Sequence, residues 1–206
     1  MKEYDVSFEI EGDFACWTRP DTGDGFTSYA VPTRSGIRGC FQQILFSRKV
    51  IVKPVQVDIC SIPNFCTITT NYRGPHRKTG SKNTHQIRQT VLSGVCYKCY
   101  AKVVNSGKVW LNEKAQKINA AHAYEDIFKK NLKRGRFLEI PFLGIRDYLP
   151  RYVGPIREST KPANFDMKIQ KLLYRVFGDA PDSGLLSESE FRSASVSGGV
   201  MEYDND

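Results

Sequence analysis

Val6, Phe8 and Ile10 alternate with Ser7, Glu9 and Glu11, so a half-buried strand runs to Gly12. A loop from Arg19 to Tyr29 follows, punctuated by Pro20, Gly23 and Gly25. Val31-Pro32-Thr33 then leads into a segment that places Ile37, Phe41, Ile44 and Leu45 on one helical face, with Thr33 or Ser35 positioned to cap it. Val55, Val57 and Ile59 alternate within a second strand, Val50 to Cys60, which Pro54 makes an edge or a bulged strand. Val91 to Val104 is a third strand. Glu113 to Arg134 is mostly helical, strongest from Ala123. Its apolar stripe is Ile127, Phe128 and Leu132; Lys130, Lys133 and Arg134 suit its C-terminal dipole, and Gly135 can stop it. Phe137 to Arg146 contains a further strand.

This order is β-α-β, an excursion, then β-α-β, which predicts an α+β, ferredoxin-like (RNA-recognition-motif-like) βαββαβ plan. The aromatic signature of recognition motifs is absent from the third strand, so any RNA must bind elsewhere. Asn71 to His85 is polar, basic and without apolar period, and must be exposed. Arg151 to Phe165, near Pro150, Pro155 and Pro162, reads as a linker. In Asp166 to Phe177, Ile169, Leu172, Leu173 and Val176 fit a helix. Phe191 to Tyr203 reads as a hairpin about Gly198-Gly199.

Composition narrows the class. The 206 residues suit one domain, or one with appendages, and 40% apolar and 12% aromatic residues suit a packed core rather than disorder. No apolar run reaches the ~18–20 residues of a membrane span, and Met1-Lys2-Glu3-Tyr4-Asp5 has no hydrophobic signal region, so a cytoplasmic protein with no membrane partner is expected. The net charge is +8. From Gly25 to Asn112 thirteen Lys/Arg face one acid, Asp58; from Gly178 to Asp206 seven acids face Arg192 alone. That asymmetry suits a surface for a polyanion, the plainer alternative being a solvated basic face. Tyr72, His76, Tyr97 and Tyr100 interleave with the bases, as stacking on single-stranded nucleic acid requires.

Cys60, Cys66, Cys96 and Cys99 raise the question of a four-thiolate zinc site. The first spacing is loose, however, and an offset of three puts Cys96 and Cys99 on opposite strand faces. Buried free thiols are the better reading, and neither metal nor cofactor is expected.

Glu11-Gly-Asp-Phe-Ala-Cys-Trp-Thr-Arg-Pro20 and Ser28-Tyr-Ala-Val-Pro-Thr-Arg-Ser-Gly-Ile-Arg-Gly39 resemble the opening of CRISPR-associated protein five, in its type I-C (subtype d) form. Thr84 to Tyr97, Leu132-Lys-Arg-Gly135, Phe142-Leu-Gly-Ile-Arg-Asp147, Leu172-Leu-Tyr174 and Gly199-Val-Met-Glu202 extend the likeness in order along nearly the whole chain. The resemblance implies a modified ferredoxin-like domain over residues 1–150, with the basic excursion (about 61–90) as a thumb. Residues 151–206 would form a linker and a small C-terminal β appendage, with Asp166 to Phe177 partly strand. It also implies binding of the 5′ handle of CRISPR RNA in a multisubunit effector complex, beside its backbone subunit and with a nuclease or large subunit as a further partner.

Type I-C relatives also cut precursor repeat RNA without metal. The 2′-hydroxyl attacks, so a proton acceptor, a proton donor and cations are needed. Cleaving relatives carry a Tyr at the end of the first helix and a Lys-His pair before the second helix's stripe. Here Leu45 and Ala123-Tyr124 fall at those places, with His122 out of register. The expected function is therefore non-catalytic handle binding; the alternative is a repeat-RNA endoribonuclease with a shifted site of His122, Tyr124 and Lys129. The RNA-binding candidates are Arg19, Tyr29, Thr33, Arg34, Arg38, Arg73, Arg77, Lys78, Lys82, Arg88, Arg134, Arg136 and Arg146. Arg34 and Arg38 can share one face beside the positive end of a helix, with a carboxylate partner as their alternative role.

Overall fold

A computed structural model describes residues 2–23, 25–72, 85–107, 110–111, 117–180 and 183–203. In chain order the elements are β1 (Tyr4–Ala15), α1 (Arg34–Ile44), β2 (Val50–Ile59), β3 (Phe65–Tyr72), β4 (His85–Asn105), β5 (Trp110–Leu111), β6 (Lys117–Ile118), α2 (Ala120–Arg134), β7 (Tyr152–Gly154), β8 (Met167–Phe177), β9 (Leu185–Ser197) and β10 (Val200–Glu202). The fold is α+β: an antiparallel sheet ordered β7-β1-β4-β2-β10-β9-β8, with two helices against it.

The strand β4 does two jobs. Its second half lies between β1 and β2, with Phe8 opposite Cys99 and Val57 opposite the same residue. Its first half pairs with β3, from Phe65–Leu92 out to Tyr72–His85; the rest of the excursion expected to form a thumb, residues 73–84, lies outside the described residues. Pro54, opposite Ala101 of β4, sits at a bulge in β2, beyond the three residues that pair with β10.

One face of the sheet carries Val6, Phe8, Ile10, Tyr97, Cys99, Val57 and Ile59, all buried. The helices cover it with Ile37, Phe41 and Ile44 from α1 and Tyr124, Phe128 and Leu132 from α2. Phe41 meets Phe8 edge-on at 4.7 Å and Phe128 at 5.7 Å. Thr33 caps α1 by accepting from Gly36 N at 3.1 Å, and Asn119 caps α2. Gly135 closes α2 at φ +61°, as expected of a C-terminal glycine.

Four sequence expectations need correction. Phe137 to Arg146 holds no strand: Leu143 N bonds Tyr148 O at 2.9 Å, and Gly144 adopts φ +93°. A Cβ on Gly144 would lie 1.9 Å from the Cys16 carbonyl oxygen, so this loop locks onto the end of β1 only through glycine. The strand that follows α2 is β7, inside the supposed linker, where Val153 pairs with Ile10. Asp166 to Phe177 is not helical; it contains β8. Register shifts between Ile169 and Leu172, and again after Leu173, displace its apolar residues and mimic a helical spacing. The second helix begins at Ala120, because Lys117–Ile118 pairs with Trp110–Leu111 instead.

The hairpin about Gly198-Gly199 is present, with both residues at positive φ, and β10 joins β2. At Gly199 a Cβ would lie 2.1 Å from Ala163 O, so the 155–165 segment packs directly on this turn. The described residues from 151 to 203 thus add strands to both flanks of the β1-β4-β2 centre.

Candidate nucleic-acid interface

At the start of α1, Arg34 and Arg38 project to the same side, as their spacing requires. That side is covered by the turn after β8. Arg34 Nη1 donates to Asp179 Oδ1 at 3.0 Å, and Arg38 donates to the carbonyls of Gly178 (2.9 Å) and Asp179 (3.0 Å). Arg38 Nη1 also lies 3.6 Å from the Asp179 carboxylate. The Tyr174 ring meets the guanidinium groups of both Arg34 (4.8 Å) and Arg192 (4.0 Å). Burial acts to raise the Asp179 carboxyl, but the Arg34 hydrogen bond and the charges of Arg34, Arg38 and Arg175 outweigh it and hold it low. The carboxylate-partner role therefore describes Arg34 and Arg38 here, and neither presents a free planar fork.

The other candidates divide by exposure. Thr33 is buried as the α1 cap, and Tyr29 is buried beneath the Arg19 guanidinium at 5.8 Å. Arg19 is a bidentate partner of Asp21, at 2.8 and 3.1 Å. The 19–29 loop lies along β4 through Ser28 N to Thr90 O and Thr90 N to Phe26 O, both 2.8 Å. This sets exposed Phe26 alongside the first half of β4, where Arg88 is also exposed. Arg134 and Arg136 are exposed at the end of α2. Arg146 is exposed and 3.4 Å from Glu139. Arg73, Arg77, Lys78 and Lys82 lie outside the described residues, as do His76 and the side chain of Tyr72. One of the expected stacking rings is not available: Tyr97 is buried and accepts from Trp17 Nε1 at 3.3 Å. Tyr100 is half-buried and its hydroxyl donates to Asp58 at 3.0 Å.

The shifted catalytic trio does not assemble. Tyr124 is buried in the core and donates to the Leu45 carbonyl at 2.7 Å, and burial pushes its phenol well above the ordinary value. His122 is exposed on the opposite side of α2, where it meets the Tyr4 ring at 5.4 Å and Asp126 at 3.9 Å. Lys129 lies two turns further on, paired with Glu125 at 2.5 Å.

The cysteines do not form a tetrad. Cys99 is fully buried under the helices, Cys66 sits on β3 opposite Val91, and Cys60 and Cys96 adjoin on the other face of the sheet. There Glu9, Glu11 and Cys96 gather closely enough for a cation, yet Arg157 occupies the space between them. Its guanidinium pairs with Glu9 and, at 2.5 Å, with Glu11, and its backbone N–H donates to Glu9 at 2.8 Å.

Residues 5–178 match the model of the family described as CRISPR-associated protein (Cas_Cas5), subtype Cas5d. The chain belongs to this Cas5 family. Over 175 residues it is 23% identical to the CRISPR pre-crRNA endoribonuclease Cas5d of Thermus thermophilus, a match that covers 82% of this chain and 72% of that protein. A crystal structure of a CRISPR-associated protein superposes with a TM-score of 0.71 at 20% identity, covering 100% of this chain and 94% of the other. A chain of a CRISPR RNA-guided surveillance complex superposes at 0.53 with 14% identity, covering 97% and 90%.

Two features of this Cas5 chain escaped the sequence. Glu9 occupies a polar position of an alternating strand, yet it is fully buried, because 155–165 crosses its face. The signal was Glu9 and Glu11 on one face, which calls for a cationic partner. Asp179, the partner of Arg34 and Arg38, lay in the acidic C-terminal stretch; the reversal of charge along the chain signals pairing within the molecule as well as an external polyanion.

Proposed function

We propose that this chain binds the 5′ handle of CRISPR RNA as a non-catalytic subunit of a multisubunit effector ribonucleoprotein. Membership of the Cas5 family supports the RNA and the assembly. The run β7-β1-β4-β2, with α1 linking β1 to β2 and α2 between β4 and β7, serves as its ferredoxin-like unit. The RNA path runs over Arg88 and the thumb cations Arg73, Arg77, Lys78 and Lys82, and over Arg134, Arg136 and Arg146. Partners are the backbone subunit and a nuclease or large subunit. No helix among the described residues is long and apolar enough to cross a membrane, and a cytoplasmic location accords with the proposal.

The observation that carries the non-catalytic reading is the hydrogen bond from Tyr124 to the Leu45 carbonyl. Where cleaving relatives carry Tyr and His, this chain has an aliphatic side chain and a phenol locked in the core. Neither can exchange a proton with a 2′-hydroxyl at neutral pH. A second reading, cleavage of repeat RNA, is favoured by the exposed His122–Tyr4 pair and by the relative from Thermus thermophilus. Incubating the purified chain with its cognate repeat RNA in EDTA separates the two. Intact RNA is expected; a single cut abolished by His122→Ala overturns the non-catalytic reading.

A further inference from the structure

Arg34, Arg38 and Arg175 lie 3.0, 3.6 and 3.6 Å from one carboxylate, that of Asp179, while Arg175 Nε also bonds Glu190 at 2.5 Å. They come from two elements, α1 and β8, and meet where α1 begins with no acid in its first turn. Arg34 is only 3% exposed, so its charge is held where water screens it poorly. The Nε atoms of both Arg34 and Arg38 are buried without an acceptor. Two guanidinium donors therefore go unused in a site that otherwise satisfies its polar groups. A planar carboxylate offers two oxygens and cannot reach every fork. A phosphodiester offers two non-bridging oxygens that share one negative charge, and two ester oxygens, in a tetrahedral spread that suits several guanidinium forks at once.

The occupant can also leave. Asp179 is 26% exposed, and rotation about its Cα–Cβ bond takes the carboxylate to solvent. Arg38 would keep its bonds to the Gly178 and Asp179 carbonyls, so the turn need not unfold. Beside the turn lies an open groove of about 340 Å³, lined by Ser35, Arg38, Gln42, Phe46, Phe177 and Gly178. Exposed Phe46 and Phe177 in its wall offer apolar surfaces for bases.

We propose that Arg34, Arg38 and Arg175 form a phosphodiester pocket that Asp179 fills in the free chain, and that an RNA phosphate displaces the carboxylate on binding. The inference rests on the RNA-binding reading above. Asp179 is then an internal competitor. Weak or non-cognate RNA contacts, which cannot displace it, are rejected, so the contact works as an autoinhibitory device as well as a site.

The test is an equilibrium titration with handle RNA at fixed salt, using wild type, Asp179→Asn and Arg175→Gln. If the carboxylate fills the pocket nine-tenths of the time, its loss should tighten RNA binding by about tenfold, the inverse of the competent fraction. Arg175→Gln, which leaves the Arg34–Asp179 bond in place, should weaken RNA binding. Inorganic phosphate, against chloride at equal ionic strength, should raise the melting temperature of Asp179→Asn more than that of wild type. Unchanged or weaker RNA binding by folded Asp179→Asn overturns the pocket, as does phosphate stabilisation without any gain for RNA. Should Asp179→Asn fail to fold, Asp179→Ser is titrated in its place: RNA affinity equal to or weaker than that of wild type overturns the proposal. Absence of RNA binding by wild type and both variants overturns the handle-binding reading itself.

Discussion

Replacing Arg157 by Ala would strip the main cationic partner from Glu9, which the strand pattern marks as exposed and the fold buries completely. Glu9 is 0% exposed and accepts from Arg157 N (2.8 Å), Arg157 Nε (2.7 Å) and Thr160 Oγ1 (2.9 Å), with the Cys96 thiol at 3.7 Å. The substitution removes the guanidinium and keeps the other donors. Removing one partner of a buried pair costs about 3–5 kcal/mol; since Arg157 is itself 37% exposed and water can enter its place, about 3 kcal/mol is the expected loss. For a chain of this size each kcal/mol lowers the melting temperature by about 2–4 °C, so a fall of roughly 6–12 °C is expected. Adding Glu9→Gln should recover part of it, because the orphaned charge is gone. Burial acts to raise the Glu9 carboxyl, but the Arg157 and Thr160 bonds hold it below its ordinary value. Its contribution is therefore present above about pH 4.3, the unfolded value, and is lost as pH falls through the lower folded value. Thermal melts of wild type, Arg157→Ala and the double variant, at pH 7 and across the acid range, test this. A shift under about 2 °C for Arg157→Ala, or a strictly additive double variant, would refute a charge buried and matched in the fold.

Gly144→Ala should destabilise more than any surface change, because the added Cβ meets backbone 1.9 Å away and φ is +93°; insoluble or unfolded protein is expected, and a wild-type melting curve would contradict the loop's docking. Tyr124→Phe should cost about 1 kcal/mol through the lost bond to Leu45 O without affecting RNA binding; a large loss of RNA affinity would place Tyr124 in the interface after all. Alkylation at neutral pH should label Cys60 before Cys40 or Cys99, since the Cys96 hydrogen bond lowers the Cys60 thiol and burial raises the other two; mass spectrometry of early time points reads the order, and first labelling of Cys99 would refute it. Arg77→Ala with Lys78→Ala should flatten the log–log salt dependence of RNA binding by roughly 1.4, two phosphates at about 0.7 each; an unchanged slope would remove these residues from the RNA path.

The central strands and both helices were legible because their faces are simple. β1 alternates cleanly, Thr33 and Gly135 carry the capping chemistry of α1 and α2, and Gly198-Gly199 marks its hairpin. β8 was not legible from periodicity, since its bulges move apolar residues between faces and only pairing with β9 reveals the strand. β7 is three residues long and exists because β1 offers an open edge. The basic character of residues 25–112 was plain, but counting charge does not say where a charge points. Arg34 turns inward to an acid 145 residues away, whereas Arg88, Arg134 and Arg136 stay exposed. The resemblance motifs carried more than pattern: Gly144 and Gly199, quoted for likeness, each proved to be a place where only glycine allows two backbones to meet.

The claim that matters most is preferential binding of the CRISPR RNA handle without cleavage. The most direct measurement is a titration of wild-type chain, in EDTA, with the complete repeat RNA that contains the handle and a scrambled RNA of equal length. The RNA is recovered at the end and sized on a gel. Tighter binding of the repeat RNA with both RNAs intact is the predicted result. Equal affinity for the two RNAs, or a defined cut in the repeat sequence, would contradict it.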